Sequence, residues 1–496
     1  MCIPSLTIIH MKYLRLNSQY AVRNEKNCSY IIKRHQQIDK EIDNLTPGIT
    51  MIPPFIGYIL SEIGKNYKEV SILKIAKNLG VQDSSLKLFL DKITNTNAKK
   101  IVVNGSNVIL PKNLLVFSNN IDENFYITSA DFKYSQYFDT KRPSIPLNIT
   151  FMVTTKCTTD CIYCYAKRNF KKELSLTEII STMRECHDIG VVNLGITGGD
   201  IFAYPHWRVI VEKAMQFGYH PFISTKTPIT KEDVTFLKGT GITDLQFSID
   251  SLSLETLRYM VKSPKNYLDK LKEMFKACQE LDIKLDVRSV IINKNGNLYN
   301  FKELYAFLIQ FNNIKSWAIT PAFYSEFKEK YKYIQPDNIQ LSTISKYITS
   351  LGSSFPIYLN KINQCGYTLR NFSTVEDFVK CNQICHANSF MMAILANGQC
   401  TPCEMLYDNP EFSLGNIKES QIFNIWNSSK ALKLFKPQQA MVCNASPCST
   451  CKVYTKCRSS IDRRVCFVDI AKTLGVGKGE FPDPRCPESV EMDVIL

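Results

Sequence analysis

Thr154-Thr155-Lys156-Cys157-Thr158-Thr159-Asp160-Cys161-Ile162-Tyr163-Cys164 is the stretch that decides how this chain is read. Its spacing, Cys-x3-Cys-x2-Cys, gathers three thiolates around one centre and supplies no fourth. A 4Fe–4S cluster is normally held by four cysteines, so three leave one iron open, as catalytic metal sites keep a position open. The run directly follows Ile145–Thr154, an apolar stretch that reads as a strand. A zinc site, or three buried free cysteines, is the other reading of the spacing alone.

Working outward, residues 144–345 alternate strand and helix. Strands are predicted over Ile145–Thr154, Val191–Ile196, Pro221–Thr225, Asp244–Ile249, Lys284–Ile292 and Ser316–Thr320, with helices such as Leu176–Asp188, Leu254–Leu281 and Asn300–Phe311 between them. Six such units imply a parallel sheet with right-handed crossovers and functional groups at the C-terminal ends of the strands. The cysteine run lies at the first such end.

Before this region, residues 1–43 carry no assignable pattern and 113–143 read as a linker. Residues 44–112 read as short helices from Pro54, Ser71 and Ser84, followed by two apolar runs around Asn104-Gly105-Ser106-Asn107. Three helices and a hairpin make a winged helix, although Gly57 weakens the first helix. After the alternating region, 346–375 reads as a connector. From 376 to 496 the chain is cysteine-rich, with a hairpin signal at Met391–Gly398 and a helix over Gln421–Phe435.

The whole chain has 496 residues and eighteen cysteines, eleven of them after residue 364. No apolar run approaches the ~20 residues of a membrane span, and the N-terminus lacks the pattern of a signal peptide. A cytoplasmic location, clustered metal-binding thiols and no membrane partner are the expectations. A net charge of +14 suits an acidic partner. The lysines are dispersed, however, and the helical pair at Ile72–Ile93 offers little beyond Gln82 and Lys87 for reading bases, so nucleic acid is not expected.

The cysteine run, with aromatic Tyr163 before its third cysteine, resembles the radical SAM signature. The resemblance implies an α/β fold, a partial (βα)6 barrel whose 4Fe–4S cluster on Cys157, Cys161 and Cys164 binds S-adenosylmethionine (SAM) and cleaves it to a 5′-deoxyadenosyl radical. It also implies SAM-binding roles for Tyr163, for Gly198, Gly199 and Asp200 after the second strand, for Ser224 and Thr225 after the third, and for Ser248 and Arg258 beyond. Asp200 stands where the family usually has Glu. Ser224 and Thr225 as caps of the next helix are the plainer alternative.

The later pattern, Cys385-x12-Gly398-x4-Cys403 and Cys448-x2-Cys451-x5-Cys457 with Cys466 and Cys486, resembles the SPASM domain, which holds two auxiliary 4Fe–4S clusters. By that analogy Cys381, Cys385, Cys403 and Cys466 hold one, and Cys448, Cys451, Cys457 and Cys486 the other. The eight residues between Cys457 and Cys466 depart from the family's three, which makes Cys443 a rival ligand. Glu404 matches the position of a general base in sulfatase-maturing relatives. Residues 44–112 resemble the PqqD-like element that binds a leader peptide. Together these resemblances imply a maturase that crosslinks a ribosomally made precursor peptide, with a thioether as first expectation and a flavodoxin- or ferredoxin-type electron donor. A sulfatase-type maturase making formylglycine and a non-enzymatic iron–sulfur or DNA-binding sensor are the alternatives.

Overall fold

In the computed structural model, the described residues are 13–34, 48–65, 72–94, 97–103, 106–118, 127–129, 142–164, 166, 172–322, 331–360, 362–363, 366–367, 372–380, 385–406, 409–461, 463–475 and 477–489. They fall into two compact units, Met1–Leu147 and Asn148–Leu496.

The first unit contains strands β1 (Tyr13–Leu16), β2 (Tyr20–Asn24), β3 (Ser29–Lys33) and β4 (Ile49–Ile52), helices α1 (Pro54–Lys65), α2 (Ile72–Leu79) and α3 (Asp83–Ile93), and strands β5 (Lys99–Val103), β6 (Ser106–Leu110), β7 (Leu115–Ser118) and β8 (Ile127–Ser129). The three helices and the β5–β6 hairpin are the winged-helix elements. The segment without an assignable pattern supplies β1 to β3, and the stretch read as a linker supplies β7 and β8. These form a four-stranded sheet, β4-β3-β2-β8, and a separate β1-β7 pair. Short strands in a polar context give little periodic signal, which is why the sequence did not show them.

Gly57 does not interrupt α1; it lets the helix lie on the sheet. A Cβ there would stand 2.1 Å from Ser29 Oγ and 2.4 Å from Asn24 Oδ1. Those groups form a buried chain: Ser29 Oγ donates to Asn24 Oδ1 (2.7 Å), Asn24 Nδ2 to Ser61 Oγ (2.7 Å), and Ser61 Oγ to the Gly57 carbonyl (2.8 Å).

The second unit begins with β9 (Asn148–Thr154), α4 (Leu176–Ile189), β10 (Asn193–Gly198), α5 (Trp207–Gln216), β11 (Ser224–Thr225), α6 (Lys231–Gly239) and β12 (Asp244–Ser248). It continues with α7 (Leu254–Val261), α8 (Tyr267–Glu280), β13 (Lys284–Ile291), α9 (Leu298–Leu308), β14 (Ile314–Pro321), α10 (Tyr331–Ile334), α11 (Asn338–Thr349) and β15 (Ile357–Leu359). Strands β11 to β15 run parallel in order, and β9 pairs parallel with β10. This is the expected partial barrel. Along β13 the odd positions Leu285, Val287 and Ile291 are buried among the helices, which by strand alternation turns Asp286 and Arg288 to the other face.

Two helical expectations are corrected. Leu254–Leu281 is two helices, because Pro264 cannot continue one and Lys262 turns left-handed (φ 56°). Gln421–Phe435 is likewise split, with Ser428 capping its second half through Ala431 N.

The remaining elements are β16 (Ile362–Asn363), β17 (Gly366–Tyr367), α12 (Val375–Lys380), β18 (Met391–Ile394), β19 (Gln399–Thr401), β20 (Gly415–Asn416), α13 (Ile422–Trp426), α14 (Ser429–Phe435), α15 (Tyr454–Arg458) and α16 (Phe467–Leu474). The cysteine-rich region is joined to the barrel by a ladder. Strand β18 pairs parallel with β9, Met391 opposite Asn148 and Ile394 opposite Phe151. The hairpin to β19 turns at Gly398 with φ 88°, so one sheet runs β10-β9-β18-β19-β20. Among the described residues no helix is long and apolar enough to cross a membrane.

Gly57→Ala should destabilise the first unit by about 1–3 kcal/mol through overpacking, although alanine is the better helix former by about 1 kcal/mol. Chemical denaturation of the two proteins checks this; an alanine variant of equal or greater stability would mean that the sheet yields.

Candidate active site and thiol centres

The cysteine loop leaves the C-terminal end of β9 and is held from three sides. Glu173 accepts hydrogen bonds from Thr155 N (2.6 Å) and Thr154 Oγ1 (3.0 Å). Asp160 N and Ile162 N donate to the carbonyls of Val261 and Met260, each at 2.9 Å, so the break after α7 leaves its last carbonyls free for the loop. The third support is Gly198-Gly199. Gly199 N donates to Thr154 O, and Asp200 N to Lys156 O, both at 2.8 Å. A Cβ on Gly199 would stand 2.2 Å from Lys156 O, and one on Gly198 2.5 Å from Thr154 O. The glycines are therefore required by the loop that carries the cysteines.

Asp200 is buried, and its carboxylate is occupied. Oδ2 accepts from Thr225 Oγ1 (2.7 Å) and Thr227 Oγ1 (2.6 Å), and Oδ1 accepts from Phe202 N (3.0 Å). Burial pushes its pKa up, opposed by those hydrogen bonds. In this geometry Asp200 ties β10 to the loop after β11. Thr225 therefore serves Asp200 and caps no helix; the cap of α6 is Thr230. Ser224 and Ser248 lie at the strand ends on either side of Gln246, whose Nε2 donates to Ser224 Oγ (2.7 Å) and Ser248 Oγ (3.4 Å). Arg258 sits exposed on α7.

Three further residues, Lys226, Asp250 and Arg288, stand close to these. Arg288 is paired in register with Ser248, and its Nε is buried without a hydrogen-bond partner. Lys226 Nζ donates to Asp250 Oδ2 at 2.8 Å, and the Tyr163 hydroxyl donates to the same oxygen. Tyr163 thus faces an acid. Burial and then the Asp250 charge push its hydroxyl pKa well up. Only strand register could have pointed to Gln246 and Arg288, as polar residues at alternate positions of an apolar run.

In the cysteine-rich region Cys448, Cys451, Cys457 and Cys486 line one small cavity with Phe378, Tyr454, Arg458 and Asp483. Burial pushes the Cys457 thiol to about 12 and Cys486 to about 11, and neighbouring thiols add to both. Such a set stays ionised only against a cationic body. Cys385, Cys403 and Cys466 form a second set: burial raises Cys403 and Cys466 well above the usual thiol range, with Cys385 acting on both. Cys381, the fourth member expected, lies outside the described residues. Cys443, the rival ligand, is exposed. Glu404 stands at the second set, 3.6 Å from Cys403 Sγ. Asp483 joins the two sets, taking a bond from Cys466 N on Oδ2 (2.7 Å) and from Cys486 N on its carbonyl (2.8 Å). Among the described residues no three His, Cys, Asp or Glu groups converge on a single ion. Four cysteines lining one cavity suit a 4Fe–4S cluster, which is normally held by four cysteines.

Comparison with known proteins agrees with this geometry. Residues 151–308 match the radical SAM superfamily, and residues 385–457 match an iron–sulfur cluster-binding domain, SPASM. The barrel is a radical SAM enzyme domain. It uses SAM and a 4Fe–4S cluster, and the SPASM domain binds auxiliary iron–sulfur clusters. The chain is 30% identical over 135 residues to a probable GTP 3′,8-cyclase of Methanothermobacter marburgensis, spanning 27% of this chain and only 43% of that protein. It is 20% identical over 350 residues to the PqqA peptide cyclase of Rhizobium meliloti, spanning 69% of this chain and 88% of that protein. In fold it is similar to Streptococcus suis SuiB bound to its precursor peptide SuiA, with TM-score 0.62 and 15% identity over 96% of this chain and 100% of that one. SuiB bound to SAM gives TM-score 0.59 over 95% and 100%.

Replacing Cys466 with Ala should cost the reconstituted protein about one cluster, roughly four irons per chain. Cys443→Ala should leave the iron content unchanged. Iron and sulfide assays on the two variants check this, and the reverse ranking would make Cys443 the ligand.

Proposed function

We propose that this protein is a maturase that installs an intramolecular crosslink in a ribosomally made precursor peptide, the product being a thioether from cysteine sulfur to carbon. The observation that carries the reading is the pair of thiol sets built into the same compact unit as the cysteine loop. Forming a C–S bond between a C–H and an S–H group removes one hydrogen atom, one proton and one electron. Reductive cleavage of SAM at the barrel's cluster supplies the radical that takes the hydrogen atom. The proton and the electron still need destinations. Glu404, half-buried beside Cys403, is placed to take the proton, and auxiliary clusters on the thiol sets take the electron. The radical also needs a site shielded from water.

The PqqD-like element in this reading is residues 44–112 of the first unit. Its β5–β6 pair forms a sheet of its own, and Val102 and Ile109 there, with Leu73 and Leu88 on α2 and α3, expose apolar side chains at 69%, 39%, 68% and 57%. A leader that adds a strand to the hairpin gains main-chain hydrogen bonds and covers such groups. The electron that reduces the cluster comes from a flavodoxin- or ferredoxin-type donor. A cleft lined by Lys430, Lys433 and Lys436 shares Tyr454 and Arg458 with the four-thiol cavity, which suits an acidic carrier.

The test is the mass of the precursor peptide after anaerobic co-expression, with and without thiol alkylation. The expected product loses two hydrogens per crosslink, resists alkylation at the joined cysteines and contains no reducible disulfide. An unchanged peptide beside active SAM cleavage would overturn the reading and point to a sulfatase or another protein as substrate. Val102→Asp should weaken peptide binding about tenfold, or ~1.4 kcal/mol, measured by fluorescence anisotropy, without altering SAM cleavage in the absence of peptide.

A further inference from the structure

The face of the parallel sheet opposite the helices carries two neighbouring rows of side chains, and their charges are met differently. Ser224, Gln246, Asp286 and Ser316 stand in register across β11 to β14. This row is closed. Gln246 Nε2 donates to Ser224 Oγ (2.7 Å), Ser316 Oγ donates to Asp286 Oδ1 (2.6 Å), and Lys315 pairs with Asp286 at 3.5 Å. The next row toward the strand ends is Ser248, Arg288, Ala318 and Tyr358, in register across β12 to β15. It holds one cation and no acid. Among the described residues the Arg288 side chain meets no hydrogen-bond acceptor and no carboxylate, and its Nε is buried. The acids at the strand ends are engaged elsewhere. Asp250 takes Lys226, Tyr163 and Val290 N, and Asp200 takes Thr225 and Thr227.

We propose that Arg288 is a carboxylate-binding residue on this inner face, taking the methionyl carboxylate of SAM or an acidic side chain of the peptide substrate. The first source rests only on the barrel's use of SAM, and the second rests on the maturase reading. A guanidinium keeps its charge at any physiological pH, and a charge withdrawn from water is costly until it is paired. The edge formed by Nε and one terminal nitrogen matches the two oxygens of a carboxylate. Ser248 and Ala318, its partners on either side, carry no charge that could answer it. The position suits a cofactor or substrate group, because Ser248 is expected from the sequence to contact SAM. Arg258, the cation expected beside it, lies exposed on α7.

The test is ligand binding to the reconstituted full-length protein under anaerobic conditions, with iron content showing that each variant keeps its clusters. Equilibrium dialysis reads the affinity for SAM, and fluorescence anisotropy reads the affinity for the precursor peptide. If the carboxylate is that of SAM, Arg288→Met should weaken SAM binding at least tenfold. Arg288→Lys, which keeps the charge and loses the fork, should recover only part of it. 5′-Methylthioadenosine, which lacks the carboxylate, should bind Arg288→Met as it binds the wild type. If the carboxylate is the peptide's, SAM affinity should hold and peptide affinity should fall about tenfold in Arg288→Met. A peptide with its Asp and Glu replaced by Asn and Gln should then bind both proteins alike. Unchanged affinity for SAM and peptide, or an equal loss of SAM and 5′-methylthioadenosine, would overturn the proposal. A wild type that binds no precursor refutes the maturase reading and leaves SAM to decide: weaker binding to Arg288→Met supports the proposal, and unchanged binding refutes it. If Arg288→Met loads no cluster, Arg288→Lys replaces it: a loss confined to SAM or to the acidic peptide supports the proposal, and none refutes it.

Discussion

No side chain fits between the end of β10 and the start of the cysteine loop. Thr154, Thr155 and Lys156 present their carbonyls to Gly198 and Gly199 at distances that a Cβ would violate, and two N–H groups convert that closeness into hydrogen bonds at 2.8 Å. The direction in which Cys157, Cys161 and Cys164 leave the sheet follows from this backbone contact. Asp200, next in sequence, extends the constraint outward to Thr225 and Thr227, and through them to the loop where Lys226 begins. Sheet edge, cysteine loop and third strand end are therefore one mechanical piece.

The barrel was legible because buried parallel strands are near-continuous apolar runs, and residues such as Phe151, Phe247 and Val287 leave no other reading. Strand β11 is reduced to Ser224–Thr225, which pair with Gln246 and Phe247, and Pro221 at its expected start has no N–H to donate to a ladder. The cysteines and glycines were legible because their spacing is local. The contacts of Asp250 with Lys226 and Tyr163 were not: 24 and 87 residues separate the partners, and only the folded partial barrel brings them together. Asp200 was legible as a position but not as a partner. A motif names the residue, whereas the two threonines that occupy its carboxylate belong to another strand.

The same distinction holds for the cysteine-rich region. Matching spacings identified Cys385 and Cys403 and the run from Cys448 to Cys457, but eight residues left Cys466 in competition with Cys443. In the tertiary structure one acid holds Cys466 to the thiol sets, while Cys443 lies exposed. Asp483 is buried, salt-bridged to Arg485 (2.7 Å), and bonded to the backbone of both Cys466 and Cys486. It therefore fixes the last member of one thiol set relative to the last member of the other.

Thiols that burial holds above their ordinary pKa bind iron only as their protons leave, so metal binding and folding are coupled in this region. Asp483, whose carboxylate takes Cys466 N and whose backbone carbonyl takes Cys486 N, ties the two thiol sets together by hydrogen bonds. Asp483 also lines the cavity of Cys448, Cys451, Cys457 and Cys486 together with Arg458, and its salt bridge to Arg485 keeps the acid paired where the thiols gather.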